Sequence, residues 1–140
     1  MIQRLQSLYL LFAALLVALF FVLGVDWRAY VGTVYPWLTL TTLVLGGLVM
    51  LLALVSIFFY KNRSSQAKVV RVAQGLDLAL VAVLVGCLVA LSLNEEAAGL
   101  VPTSLYLTLM CPVAAYLFLL LAKRGIDKDI ALVRSVDRLR

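Results

Sequence analysis

The chain has 140 residues, 65% of them hydrophobic and only 14% charged, with a formal net charge of +5 and no histidine. A soluble domain is nearer half apolar and a quarter charged, so this composition excludes one: too few charges are present to cover so much apolar surface, and the bilayer is the solvent that fits. The missing histidine excludes imidazole catalysis and imidazole metal binding, and the basic excess flanks apolar runs on alternate loops, as topology signals do, rather than forming a nucleic-acid patch.

The first apolar run covers 8–25, behind Gln3, Arg4, Gln6 and Ser7. It is long for a signal-peptide core, and no small-x-small site follows it before Trp27, so it is read as a retained helix. The second run, 36–60, opens on Pro36, whose missing N–H suits the first turn of a helix. The third, 69–93, ends at Asn94, and the fourth again starts with a proline, Pro102. Each is long enough to cross a hydrocarbon core of roughly 30 Å. The runs are continuous rather than alternating, which excludes a transmembrane barrel. Short connections place sequential helices antiparallel and adjacent. The predicted fold is therefore an all-α membrane protein: an antiparallel four-transmembrane-helix bundle over 1–124, with helices at about 5–25, 36–60, 69–93 and 102–124, followed by a short cytoplasmic amphipathic C-terminal helix over 125–140.

Orientation follows from lysine and arginine. Arg4 precedes the first helix; Lys61, Arg63, Lys68 and Arg71 flank the middle loop; Lys123, Arg124, Lys128, Arg134, Arg138 and Arg140 follow the fourth helix. These are 11 of the 12 basic residues, and only Arg28, beside Asp26, falls on the other side. The loop before the fourth helix carries Glu95 and Glu96 and no base. All four helix ends agree on cytoplasmic N- and C-termini, and so lopsided a chain does not suit a dual-topology multidrug transporter. Trp27, Tyr30, Tyr35 and Trp37 at the outer ends, with Phe58, Phe59 and Tyr60 at an inner end, are expected to mark the headgroup level.

In the tail, Ile126, Ile130, Val133 and Val136 recur at helical spacing, and Asp127, Lys128, Arg134 and Arg138 lie largely elsewhere around the helix. Arg124–Asp127 and Arg134–Asp137 are expected i,i+3 pairs. The tail either continues the fourth helix past Gly125 or bends there to lie along the inner surface. Its alternating signs favour docking on a protein, through Ile126, Ile130, Val133, Arg134, Asp137 and Arg138, over a purely lipid contact.

The two ends also carry a likeness. Met1-Ile2-Gln3-Arg4-Leu5-Gln6-Ser7-Leu8-Tyr9-Leu10-Leu11 opens the chain, and Asp127-Lys128-Asp129 followed by Leu132-Val133-Arg134-Ser135-Val136-Asp137-Arg138-Leu139-Arg140 closes it. Both are polar patterns at fixed distances from a membrane helix. Together they resemble the family called domain of unknown function 4293, small membrane proteins of Bacteroidota. The resemblance implies four helices and an inner-membrane location. It implies no activity and carries no catalytic residue.

Three constellations remain. Asp77 is the one ionisable residue well inside a span. An unpaired carboxylate on lipid is costly there, so Asp77 is expected to face protein and to bind a proton or meet a basic or polar group such as Arg4, Lys123, Arg124 or a glutamine. Gln3, Gln6 and Ser7 share a face at the start of the first helix. With Arg4, Gln74 and Asp77 they are expected to form a polar cluster at the inner mouth of the bundle, either a docking surface or a lock between helices. Gly75, Ala79, Ala82, Gly86 and Ala90, spaced 4, 3, 4 and 4, form a small-residue seam for close helix packing. Asp77 lies on the opposite side of the same helix, roughly 200° from Gly75. Pro112 leaves the Thr108 carbonyl without its helical donor and favours a kink.

Catalytic patterns are absent: no nucleophile–base pair, no paired intramembrane carboxylates, no Gly-rich phosphate loop and no H-E-x-x-H. Cys87 and Cys111 lie inside apolar runs, with neither C-x-x-C nor zinc spacing. No cofactor is expected. Two functions stay open: a non-enzymatic accessory or scaffold subunit of a membrane complex, holding a membrane-protein partner or a second copy, and a small proton- or cation-coupled transporter centred on Asp77.

Overall fold

A computed structural model describes residues 2–93 and 103–137 of the chain. Among them the architecture is all helical: α1 (Ile2–Leu23), α2 (Val25–Val34), α3 (Pro36–Phe58), a 3-10 turn (Phe59–Lys61), α4 (Arg63–Leu93) and α5 (Thr103–Asp137). Of these, α1, α3, α4 and α5 are long and apolar enough to cross a membrane. Contacts run from α1 to α3, α3 to α4, α4 to α5 and α5 back to α1, a closed ring in which α2 leans on α3.

The helix boundaries follow local chemistry. Pro36 stands in the first turn of α3, where a residue without N–H loses nothing. Asn62 starts α4: its side-chain oxygen accepts the Ser65 N–H at 3.2 Å and its backbone carbonyl accepts the Gln66 N–H at 2.9 Å. That cap draws 63–68 into the helix, so the middle connection is a 3-10 turn and Asn62 rather than the eight residues expected from hydropathy. At the other end α5 runs unbroken through Pro112 and Gly125. The tail is thus a continuation of the fourth helix and not a segment bent along the surface. With 31 and 35 residues, α4 and α5 extend about 46 and 52 Å, well beyond a core of about 30 Å. The stretch after Gly24, expected to be a loop, forms α2.

Two apolar clusters fill the ring. Leu10, Val17, Val49, Val70, Leu119 and Ile126 belong to one. Phe20, Trp27, Leu80, Leu84, Leu91 and Leu105 belong to the other. Large apolar side chains such as Leu40, Leu51, Leu107 and Leu117 point outward. A chain apolar both inside and outside is what a bilayer demands.

Candidate functional site

Asp77 sits on α4 between Ala73, which packs in the first cluster, and Leu80, which packs in the second. It is 0% exposed, so it faces protein and not lipid. The expected partner is missing: neither carboxylate oxygen has a hydrogen-bond partner among the described residues, and the amide nitrogen of Gln74, one turn earlier, is also buried without one. Three of the candidates are engaged or turned away. Lys123 pairs with Asp127 at 3.3 Å, Arg124 is exposed, and Gln6 is bonded elsewhere. The side chains of Gln3 and Arg4 lie outside the described residues. An ionised carboxylate left unpaired in an apolar interior is unfavourable by several kcal/mol.

At the end of the bundle that carries the basic residues a polar cluster forms that keeps Gln6 from the expected set but has Asp129, Arg63, Gln66 and Ser56 where Gln74 and Asp77 were expected. Gln6 Nε2 donates to Asp129 Oδ2 at 2.9 Å, joining α1 to α5 between two side chains that are each 5% exposed. Arg63 Nη1 reaches the Asp129 carbonyl at 3.5 Å. Beside them Gln66 Nε2 donates to the Ser56 carbonyl at 3.1 Å, tying α4 to the end of α3. The reason for the exchange is register. Because α4 starts at Arg63, Gln66 reaches this level, and Asp77, eleven residues later, lies about 16 Å deeper. Ser7 is half-buried. Gly125 makes the Gln6 contact possible: a Cβ there would stand 2.9 Å from Gln6 Cγ.

The tail stripe divides. Ile126 is buried and Ile130 packs against the same cluster, whereas Val133 is exposed. Of the residues expected to await a partner, Ile126 and, in part, Ile130 are covered by the chain itself. Among the described residues the tail's ion pair is Lys123–Asp127, at i,i+4, and not Arg124–Asp127. Arg138 and the side chains of Arg134, Val136 and Asp137 lie outside the described residues, as do Glu95 and Glu96.

The small-residue seam faces outward along its whole length. Gly75, Ala79, Ala82, Gly86 and Ala90 are all exposed, and nothing lies within 4 Å of where a Cβ would stand at Gly75 or Gly86. Gly86 and Ala90 also floor a hollow of about 310 Å³ rimmed by Tyr35, Trp37 and Val83.

Arg28, in the sequence only an exception to the charge rule, holds the far end together. Its guanidinium donates to the carbonyls of Phe20, at 3.3 Å, and of Phe21, satisfying the end of α1. It also lies over the Phe20, Phe21 and Trp27 rings at 5.5–5.9 Å. Burial lowers the Arg28 pKa, yet a guanidinium stays charged. Gly24 leaves room for it: a Cβ there would collide with Arg28 Nη1 and stand 2.8 Å from Trp27 Nε1. Trp27 is accordingly 0% exposed, a core residue and not a headgroup anchor, while Trp37 is exposed. A glycine ending an apolar run with a base one turn later was the sequence signal for this cap.

Over the described residues, fold and site together define a small all-helical protein with four helices long and apolar enough to cross a membrane and two acids, Asp77 and Asp129, buried among them. The chain belongs to the family described as Domain of unknown function (DUF4293), which it matches over residues 2–139, as the polar motifs at its two ends suggested. No curated protein and no solved structure matches it.

Proposed function

We propose that the chain is a non-enzymatic accessory or scaffold subunit of a membrane complex. It sits in the bacterial inner membrane as an antiparallel bundle, with both termini and the α3–α4 connection cytoplasmic. The orientation rests on 11 of 12 basic residues falling on one side. The observation that carries the functional reading is the outer face of α4. Lipid is well matched by leucine, and a row of glycine and alanine gains little from it. Such a row gains from another helix, whose backbone it lets approach closely. The occupant proposed is a transmembrane helix of another membrane protein, with a bulky side chain in the hollow beside Gly86.

Purification in gentle detergent, with mass-spectrometric identification of bound proteins, tests this. Ala82→Leu with Gly86→Leu fills space that is open in the bundle, so the variant is expected to fold and to lose a partner that wild type retains. A partner kept by a folded variant would remove this face from the interface. The alternative, a small proton- or cation-coupled transporter, is favoured by the unpartnered Asp77 carboxyl. It requires that Asp77→Asn abolish ion movement in proteoliposomes; the scaffold reading requires that partner binding survive that change.

A further inference from the structure

One groove is left over once the Gln6–Asp129 contact is formed. It lies between the first turns of α4 and the last turns of α5 and holds about 610 Å³. Arg63, Lys68 and Arg71 line its α4 wall, and Ile130 and Val133 its α5 wall. On α4 Arg63 to Arg71 is two steps of four and Lys68 to Arg71 one step of three, so the three bases lie within an arc of about 140°.

Little within the chain neutralises them. Asp127 also lines the groove, but Lys123 holds its carboxylate at 3.3 Å. The Asp129 carboxylate turns away to Gln6, leaving Arg63 only a carbonyl at 3.5 Å. No acid among the described residues pairs with Lys68 or Arg71. The N-terminal end of the α4 dipole adds positive potential at Arg63 and Ser64. The level is equally particular. Arg71 is the last basic residue on α4 before its span, whose unbroken apolar run opens at Leu78, and on α5 the apolar run ends at Ala122. An anion seated against Lys68 and Arg71 lies at the bilayer end of the groove, while Ile130 and Val133, roughly 12 and 16 Å past Ala122, stand at its opposite end.

We infer that this groove binds the headgroup of an anionic phospholipid, with Lys68 and Arg71 on the phosphate and Arg63 adding positive charge farther from the bilayer. A zwitterionic lipid brings its own cation toward the bases and is disfavoured; free phosphate satisfies the charge but lacks the acyl chains that hold a lipid headgroup at the bilayer end of the groove. The inference is independent of what covers the outer face of α4.

The full chain is placed in nanodiscs of equimolar phosphatidylglycerol and phosphatidylcholine, and retained lipids are counted by native mass spectrometry. Wild type is expected to keep phosphatidylglycerol in preference. Lys68→Gln with Arg71→Gln is expected to weaken its binding about 30-fold, at roughly fivefold per base near the surface. Arg124→Gln with Lys128→Gln removes the same charge outside the groove and is expected to change binding less than about threefold. Equal melting of wild type and both variants in phosphatidylcholine alone excludes misfolding; if the double variant melts lower, Arg71→Gln alone is used, with about fivefold weakening expected. Equal retention of the two lipids by wild type overturns the inference, as does unchanged retention by the groove variant. Inorganic phosphate raising the melting temperature as much as phosphatidylglycerol does overturns the lipid source. Loss of an acidic bound protein with lipid retention unchanged would assign the groove to that protein.

Discussion

Gln6→Ala should release the end of α5. Gln6 Nε2 is the one described donor to the Asp129 carboxylate, at 2.9 Å, and both side chains are buried. A hydrogen bond to a charged group contributes about 1.5–3 kcal/mol, and an abandoned buried acceptor adds its own desolvation. The expected loss is therefore about 2 kcal/mol or slightly more, a factor of about 30 in the local opening equilibrium. Hydrogen exchange of the 126–133 amides in detergent reads it, since these turns lie beyond the apolar stretch of α5 and depend on docking for protection. Replacing both partners with leucine should recover most of the loss, because an apolar pair leaves nothing unsatisfied. Ser135→Ala, an exposed hydroxyl bonded within its own helix, serves as the control. Exchange in Gln6→Ala within about threefold of wild type would refute the reasoning, because that change corresponds to less than 1 kcal/mol.

Other residues give sharp contrasts. Gly46→Ala places a Cβ 3.0 Å from Phe21 and 3.2 Å from Phe20, two rings already packed on each other, and should cost about 1–3 kcal/mol in detergent unfolding. Gly47→Ala meets nothing within 4 Å and should be neutral or gain about 0.5–1 kcal/mol; equal effects at the two sites would contradict the packing described. Arg28→Ala strips the end of α1 and should lower stability by about 2–3 kcal/mol, with Arg28→Lys a poor rescue because an ammonium lacks the planar fork that reaches two carbonyls. Asp77→Asn loses no described hydrogen bond and should melt no lower than wild type; a drop equivalent to more than about 2 kcal/mol would reveal a partner for the acid.

Four spans were legible in the sequence because lipid imposes one requirement on every spanning segment, and hydropathy registers it. Hydropathy marks where the bilayer stops and not where the helix does. Residues 63–68 read as loop yet are helical, started by Asn62; 125–140 read as an amphipathic helix that either continues the fourth helix or bends at Gly125, and over the described residues it continues, fastened through Ile126 and Asp129. Asp77 was recognisable as an intramembrane acid, and its burial follows from its cost in lipid. The pairing of Gln6 with Asp129 depends on the register of two helices whose residues are 123 positions apart, and no local pattern encodes it. The even spacing of Gly75 through Ala90 told that they share a face. Only the packing of Leu80, Leu84 and Leu91 toward the core shows that this face is the outer one.

Photo-crosslinking in intact membranes reaches the proposed interface without detergent. A benzophenone side chain at Ala82, on the exposed row of α4, is compared with one at Leu40, equally outward on α3. The scaffold reading expects a discrete adduct of this chain with one other membrane protein from Ala82, and lipid adducts alone from Leu40. Lipid adducts alone from both positions, or adducts from Ala82 only to a second copy of the chain, would contradict it.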